Sequence, residues 1–241
     1  RDFPQARLIV FPEESNFLTK LAIFKNTEGA NKYFATLFHQ PVLIIDNSQI
    51  REGDWFKART IFLDSQKGIV GSYDKYLITP GAEYVPLLFK KLDKILGLNS
   101  PELQAIPEYQ SGGQWPKPVI HIQGETLNES YPQQGLTLKG AAMVCADIFS
   151  PDLVRKGAAA SNLLISQSSF AFGNSPEDLI SQDLAASKFR AAESGRYLIK
   201  SSNYAYSYII SDTGKVVKTT QNLDPQILTG SVVLKDGKTL Y

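Results

Sequence analysis

Three kinds of side chain that together transfer acyl groups, a carboxylate, an amine and a thiol, sit at separate places in this sequence, each beside a strand-like run. Cys145 is the only cysteine in 241 residues and follows the apolar run Ala141-Ala142-Met143-Val144. Leu8-Ile9-Val10-Phe11-Pro12-Glu13 ends in a carboxylate, and Tyr73-Asp74-Lys75 ends in an amine. A thiol attacking a carbonyl needs a base that takes its proton and returns it to the leaving group. Glu13 suits that task if the apolar residues before it wall its carboxyl and raise its pKa, and Pro12 fixes φ where the chain leaves the strand. Lys75 beside the reacting carbonyl would stabilise the oxyanion and favour the thiolate. Glu83 can orient Lys75 or share a proton with Glu13. Glu14 is adjacent to Glu13, and spacing alone does not separate them. Each group also has an ordinary reading: the acids and the lysine as solvated surface residues, the cysteine as a small core hydrophobe.

The elements that must position these groups follow from short β-branched and apolar runs bounded by turn residues. Strands are expected over 7–11, 42–46, 60–63, 69–73, 119–122, 141–145, 162–166, 197–201 and 206–211, and helices over 28–37, 86–97, 150–158 and 176–194. Asp212-Thr213-Gly214 reads as a hairpin turn between Tyr208-Ile209-Ile210 and Lys215-Val216-Val217. Strands interleaved with helices, plus hairpins, predict an α/β fold with mixed sheets. The stretch 99–135 is rich in Pro, Gly, Gln, Ser and Asn and reads as one long elaborated loop over the site.

Bulk properties exclude several classes. The net charge of +1 gives no nucleic-acid footprint. One cysteine rules out an internal disulfide framework and a cysteine zinc site, and His39 and His121 are too few for a histidine metal centre. No run approaches the roughly 18 apolar residues of a membrane span.

Residues 86–98 form an amphipathic pattern. At about 100° per residue, Leu88, Phe89, Leu92, Ile95 and Leu96 share one face, and Lys90, Lys91 and Lys94 the opposite one. The ordinary arrangement packs the apolar face on the domain itself; the other lays the helix on an anionic membrane surface.

The words around the three groups resemble those of the carbon–nitrogen hydrolase (nitrilase) superfamily, with its Glu-Lys-Cys triad in that chain order. Leu-Ile-Val-Phe-Pro-Glu resembles the glutamate segment, which assigns the base to Glu13 and not Glu14. Tyr73-Asp74-Lys75 resembles the lysine segment, and Cys145-Ala-Asp-Ile-Phe-Ser-Pro-Asp-Leu the nucleophile segment. Phe189-Arg-Ala-Ala-Glu-Ser-Gly-Arg196 resembles the helix that precedes the late strands. Pro80-Gly-Ala-Glu-Tyr-Val-Pro86 is similar to a segment of the apolipoprotein N-acyltransferase branch.

The resemblance implies a nitrilase-like α-β-β-α sandwich over 1–241, read as a single domain that lacks its first strand and any flanking membrane helices. It implies two steps: Cys145 takes an acyl chain from a phospholipid as a thioester, and the amino-terminal amine of a diacylglyceryl-cysteine lipoprotein accepts it. Glu13 would be base and acid, Lys75 the oxyanion partner, Glu83 their organiser and Asp147 a further support. No metal or cofactor is implied. The implied setting is the bacterial inner membrane, with the domain on the periplasmic side and contact with the membrane surface through the parent protein or helix 86–98.

Three departures from that branch are visible: Ala146-Asp147 after the thiol, Ser168-Ser169-Phe170-Ala171-Phe172-Gly173 in the loop expected to border it, and Ala82 before Glu83. Phe170 and Phe172 are candidate acyl-pocket walls, with core packing as the ordinary alternative. Two other functions stay open: a soluble, cytoplasmic amidase that uses water as acceptor, and a catalytically degenerate domain that binds lipid or a partner.

Overall fold

Alternation along the strands sets the layers of this chain. The computed structural model describes residues 6–20, 33–34, 36–38, 41–113, 122–123, 137–171 and 177–237. In β2 (Leu43–Glu52), Leu43 and Ile45 point to one side and Ile44 to the other, and both sides are buried. In β7 (Gly140–Val144) and β8 (Leu163–Ser169), Ala142, Val144, Leu163 and Ile165 face the β2 side. Ala141, Met143 and Leu164 face away from it. A strand with two buried faces can only be the inside of a layered sandwich.

The first sheet has the order β1-β2-β3-β4, with β1 at Leu8–Val10, β3 at Trp55–Asp64 and β4 at Gly68–Asp74. The second has the order β11-β10-β9-β8-β7, with β9 at Leu198–Asn203, β10 at Tyr208–Ile210 and β11 at Val216–Thr219. A two-stranded piece pairs β5 (Ile122–Gln123) with β6 (Thr137–Leu138). One core lies between the large sheets. A second lies where β7–β10 meet α4 (Pro151–Ala159) and α5 (Glu177–Ser194). A third lies where the first sheet meets α1 (Phe17–Lys20) and Phe34. The architecture is the expected α-β-β-α sandwich with mixed sheets. Each fully buried Leu, Ile or Val contributes about 1.5–3 kcal/mol to it.

Strand direction then gathers the ends. β1 and β2 are parallel, and β2-β3-β4 reverse twice, so β1 and β4 run the same way and finish at the same end of their sheet. β7, β8 and β9 are mutually parallel. Five strand ends, those of β1, β4, β7, β8 and β9, thus carry Glu13, Lys75, Cys145, Ser169 and Asn203.

Several expectations change. The strands expected at 42–46 and 60–63 are the inner halves of a hairpin with ten residues in each strand. Its polar positions Asn47, Ser48 and Thr60 are fully buried, so hydropathy undercounts the strands. The stretch 99–135 is not a plain loop: it holds α3 (Pro101–Ala105) and β5, while 114–121 and 124–136 lie outside the described residues, as do 119–121 of an expected strand and 28–32 of an expected helix. The 86–97 helix exists as α2 (Leu87–Leu96), but none of its residues is buried, so it does not pack its apolar face on the domain. Pro86 before it and left-handed Gly97 after it set its limits. The 212–214 turn is present, with Gly214 at φ 77.

Candidate active site

Glu13 reaches the site from a segment with little secondary structure of its own. β1 is three residues long, and beyond it the chain is fixed by side chains reaching from both sheets. Gln167 Nε2 donates to the Phe11 carbonyl at 2.7 Å, and Asn203 Nδ2 donates to the Glu13 carbonyl at 2.7 Å. From the first sheet, Asn47 Oδ1 accepts the Glu14 N–H at 3.2 Å. Gln167 is itself held, its Oε1 accepting from Thr60 Oγ1 at 2.7 Å. The Glu13 carboxylate receives the Ser169 N–H at 2.9 Å on one oxygen and faces Lys75 Nζ at 3.4 Å with the other. Glu14 turns aside: at φ 62, its carboxylate accepts from Ser169 Oγ at 2.7 Å and Gln49 Nε2 at 2.5 Å.

Lys75 continues past β4, and its N–H bonds to the Ala58 carbonyl of β3 at 2.9 Å. On its other side Gly112 donates to the Lys75 carbonyl at 2.9 Å. A Cβ at Gly112 would lie 2.5 Å from the Asp74 carbonyl oxygen, so this close approach requires glycine. The Lys75 side chain is 1% exposed, with Nζ 2.7 Å from Glu83 Oε1. The second oxygen of Glu83 accepts the Thr79 N–H at 2.8 Å, which fixes Glu83 through its own turn.

Cys145 stands where β7 passes into a 3₁₀ turn (Cys145–Phe149), with φ 49. A left-handed non-glycine residue costs about 1–3 kcal/mol and is held only when its neighbours overdetermine it. Asp147 supplies that restraint. Its Oδ2 accepts the Val144 N–H at 3.1 Å and the Tyr73 hydroxyl at 2.8 Å, and its Oδ1 accepts the Leu77 N–H at 2.8 Å. One buried carboxylate therefore ties the residue before the thiol to residues two before and two after Lys75.

A cleft of about 370 Å³ is lined by Glu13, Lys75, Glu83 and Cys145, with Glu14, Phe56, Tyr109, Ser169 and Ala171 among its other walls. Two of the expected residues do not line the cleft. Asp147 is fully buried and is not among the cleft-lining residues, so it supports the site from behind. Phe170 is buried outside the cleft wall, whose members from that segment are Ser169 and Ala171. Phe172 lies outside the described residues. Gln167, Asn203, Asn47 and Tyr73 escaped the sequence reading; the only signal for the first three was a polar residue inside or ending an apolar strand.

The electrostatics follow from burial. Desolvation pushes Glu13 up to about 7, against the opposing pull of Lys75, with Glu83 and Glu14 adding to the rise. Desolvation also pushes the Cys145 thiol up to about 12; Glu13 adds to this and Lys75 resists it. For Lys75, burial works toward the neutral amine, but Glu13, Cys145 and Glu83 outweigh it and hold the ammonium. The resting arrangement is thus a neutral thiol, a carboxyl poised near neutrality and a fixed cation. It can pass the thiol proton to Glu13 while Lys75 offsets negative charge growing nearby. Among the described residues no group of acids, histidines and cysteine could hold a metal ion.

No family profile matches the chain. In sequence it is 28% identical over 174 residues to an apolipoprotein N-acyltransferase of Pseudomonas aeruginosa, a match covering 71% of this chain and 30% of that protein. An apolipoprotein N-acyltransferase of Pseudomonas syringae is 25% identical over 248 residues, covering 98% of this chain and 43% of that one. The chain thus spans less than half the length of the curated relatives it matches. Among solved structures, an amidase of the nitrilase superfamily from Nesterenkonia superposes with a TM-score of 0.56 at 15% identity, over 91% of this chain and 75% of that one. A variant of that amidase, with a TM-score of 0.55 at 15% identity over 89% of this chain and 73% of its own, carries the acetamide moiety of fluoroacetamide covalently on its active-site cysteine. The chain is thus similar in sequence to apolipoprotein N-acyltransferases and similar in fold to an amidase of the nitrilase superfamily, the likeness that its Glu-Lys-Cys segments suggest.

Proposed function

We propose that this site transfers an acyl chain from a phospholipid to the amino-terminal amine of a diacylglyceryl-cysteine lipoprotein, by way of a thioester on Cys145. The observation that carries the reading is the buried Lys75 ammonium, fixed between Glu13 and Glu83 in the same cleft as the only thiol. Glu13 takes the Sγ proton as sulfur bonds to the ester carbonyl carbon. Lys75 offsets the oxyanion. Collapse breaks the carbon–oxygen bond, and Glu13 protonates the departing alcohol of the lysophospholipid. A neutral amine then attacks the thioester and loses a proton to Glu13; the amide leaves, and the sulfur recovers its proton. Glu83 keeps Lys75 aimed. The choice of an apolipoprotein amine as acceptor is supported by the names of the sequence relatives; the phospholipid donor and a bacterial inner-membrane setting belong to the proposal. The fold neighbours support a second reading, in which water is the acceptor and the donor a small amide.

Incubation with phospholipid vesicles followed by intact-mass spectrometry tests the reading. Wild type gains one acyl mass, and Cys145→Ala, still folded, gains none. An adduct that survives this substitution overturns the assignment. Release of that acyl group by a diacylglyceryl-cysteine peptide, faster than by water alone, selects transfer over hydrolysis.

A further inference from the structure

The chain leaves the cleft wall at Glu83 and returns to it at Pro107 and Tyr109. The two feet of this excursion are joined, the Tyr109 N–H donating to the Glu83 carbonyl at 2.7 Å. The returning foot is seated on β3 by the Phe56 N–H on the Glu108 carbonyl and the Gln110 N–H on the Phe56 carbonyl, each at 2.9 Å. Between the feet stand α2 and α3, and neither contains a buried residue. Leu88, Phe89, Leu92, Ile95 and Leu96 make one continuous face of α2, and each is between 42% and 77% exposed. A contiguous apolar patch of this kind marks an interaction surface.

We infer that α2 is a membrane-surface anchor that lies in the headgroup region of an anionic bilayer and brings the mouth of the cleft to the lipid. Its chemistry fits that occupant. Lys90, Lys91 and Lys94 occupy the arc opposite the apolar face; Lys90 is paired with the Glu108 carboxylate, which leaves Lys91 and Lys94 as the lysines offered to lipid, and Asp93 is the only acid in 86–98. The Asp93 carboxylate is engaged by the Ser100 N–H at 3.0 Å and Oγ at 2.5 Å. An interfacial helix buries its apolar side at the acyl boundary while lysines reach lipid phosphates. The domain itself does not cover this face. A second copy would cover it but bring the Lys91 and Lys94 flanks of two helices together, since Glu108 is already paired with Lys90 and Asp93 with Ser100. Placement matters as much as chemistry: Leu87 lies four positions after Glu83, at most about 14 Å along the chain. The first turn of α2 therefore stands close to the cleft wall at Glu83. The inference rests on the acyl-transfer reading for the use of the lipid, but vesicle binding requires only the exposed helix.

The test is flotation of the 241-residue chain with vesicles of phosphatidylcholine and phosphatidylglycerol, against phosphatidylcholine alone. Acylation by a water-soluble p-nitrophenyl ester without vesicles runs in parallel. Wild type floats with the anionic vesicles. The exposed-face variant L88Q/L92Q/I95Q binds them at least about 10²-fold more weakly, and K91Q/K94Q about 10-fold more weakly. Both variants keep wild-type thermal melting and ester acylation. Failure of wild type to float overturns the inference, as does unchanged flotation of the apolar variant. A wild-type dimer in light scattering that this variant dissolves, without vesicle binding, overturns it in favour of a second copy. Flotation without any ester acylation upholds the anchor and removes the acyl-transfer reading.

Discussion

Replacing Glu13 by Gln changes the shape of the pH–rate profile as well as its height. The thiol, at about 12, and Glu13, at about 7, differ by about five pH units, so moving the proton between them costs at most about 7 kcal/mol, because the Glu13 charge that helps raise the thiol is neutralised by the transfer. Turnover near 1 s⁻¹ corresponds to a barrier of about 17 kcal/mol, which leaves at least about 10 kcal/mol for forming the carbon–sulfur bond beside Lys75. The transfer is affordable only while Glu13 is ionised. Below pH 7 its carboxyl holds a proton and cannot accept another, so acylation falls tenfold per pH unit; above pH 7 it levels off. In E13Q the proton goes to water and the thiol loses a charge that helped raise it, so the rate follows the thiolate fraction, rising tenfold per unit through neutrality with no levelling at pH 7. At pH 7.5 the variant is slower by about 10²-fold or more, the usual worth of a positioned base. Release of p-nitrophenolate in a stopped-flow instrument, between pH 5 and 9.5, measures both profiles. A wild-type rate still climbing tenfold per unit at pH 9, or an E13Q rate with the wild-type plateau, refutes the assignment of Glu13 as base.

Two further substitutions test the supports of the site. Asp147→Asn puts an amide NH₂ against donors that now meet carboxylate oxygens, costing about 1–3 kcal/mol for each N–H or O–H left unpaired; a urea midpoint equal to wild type would mean that Asp147 does not join the thiol and lysine segments. Lys200 and Asp183 form a buried pair at 2.7 Å between β9 and α5, with Lys200 Nζ also 3.4 Å from Ser166 Oγ. Lys200→Met alone strands the Asp183 charge and costs about 3–5 kcal/mol, whereas K200M/D183L recovers most of that loss; equal melting of the single and double variants would show that Asp183 has other compensation.

How much of this was legible in the residues depends on how local each feature is. The helices over 150–158 and 176–194 and the strands bearing Cys145 and Lys75 follow from periodicity, and their bounds hold to within one or two residues. That is because a run of apolar side chains at strand or helix spacing reports its own burial. The β2–β3 hairpin was cut short because buried Asn47 and Thr60 look like surface residues until Gln167, more than a hundred positions away, provides the partner that permits their burial.

The sequence by itself determined the chemical types of the site, their order and the strand ends that carry them, since each is written within a few adjacent residues. Which acid faces the lysine is named by the motif resemblance, but its physical cause lies in the tertiary structure. Glu13 and Glu14 are equivalent in composition and spacing, and they part only because Ser169 and Asn203 of the second sheet hold the turn that sends one carboxylate to Lys75 and the other to Gln49. The same holds for Asp147, whose partners lie about seventy residues away, and for α2. Its periodicity specifies an apolar face, but whether that face is covered is a property of the neighbours that the folded chain places, or does not place, against it.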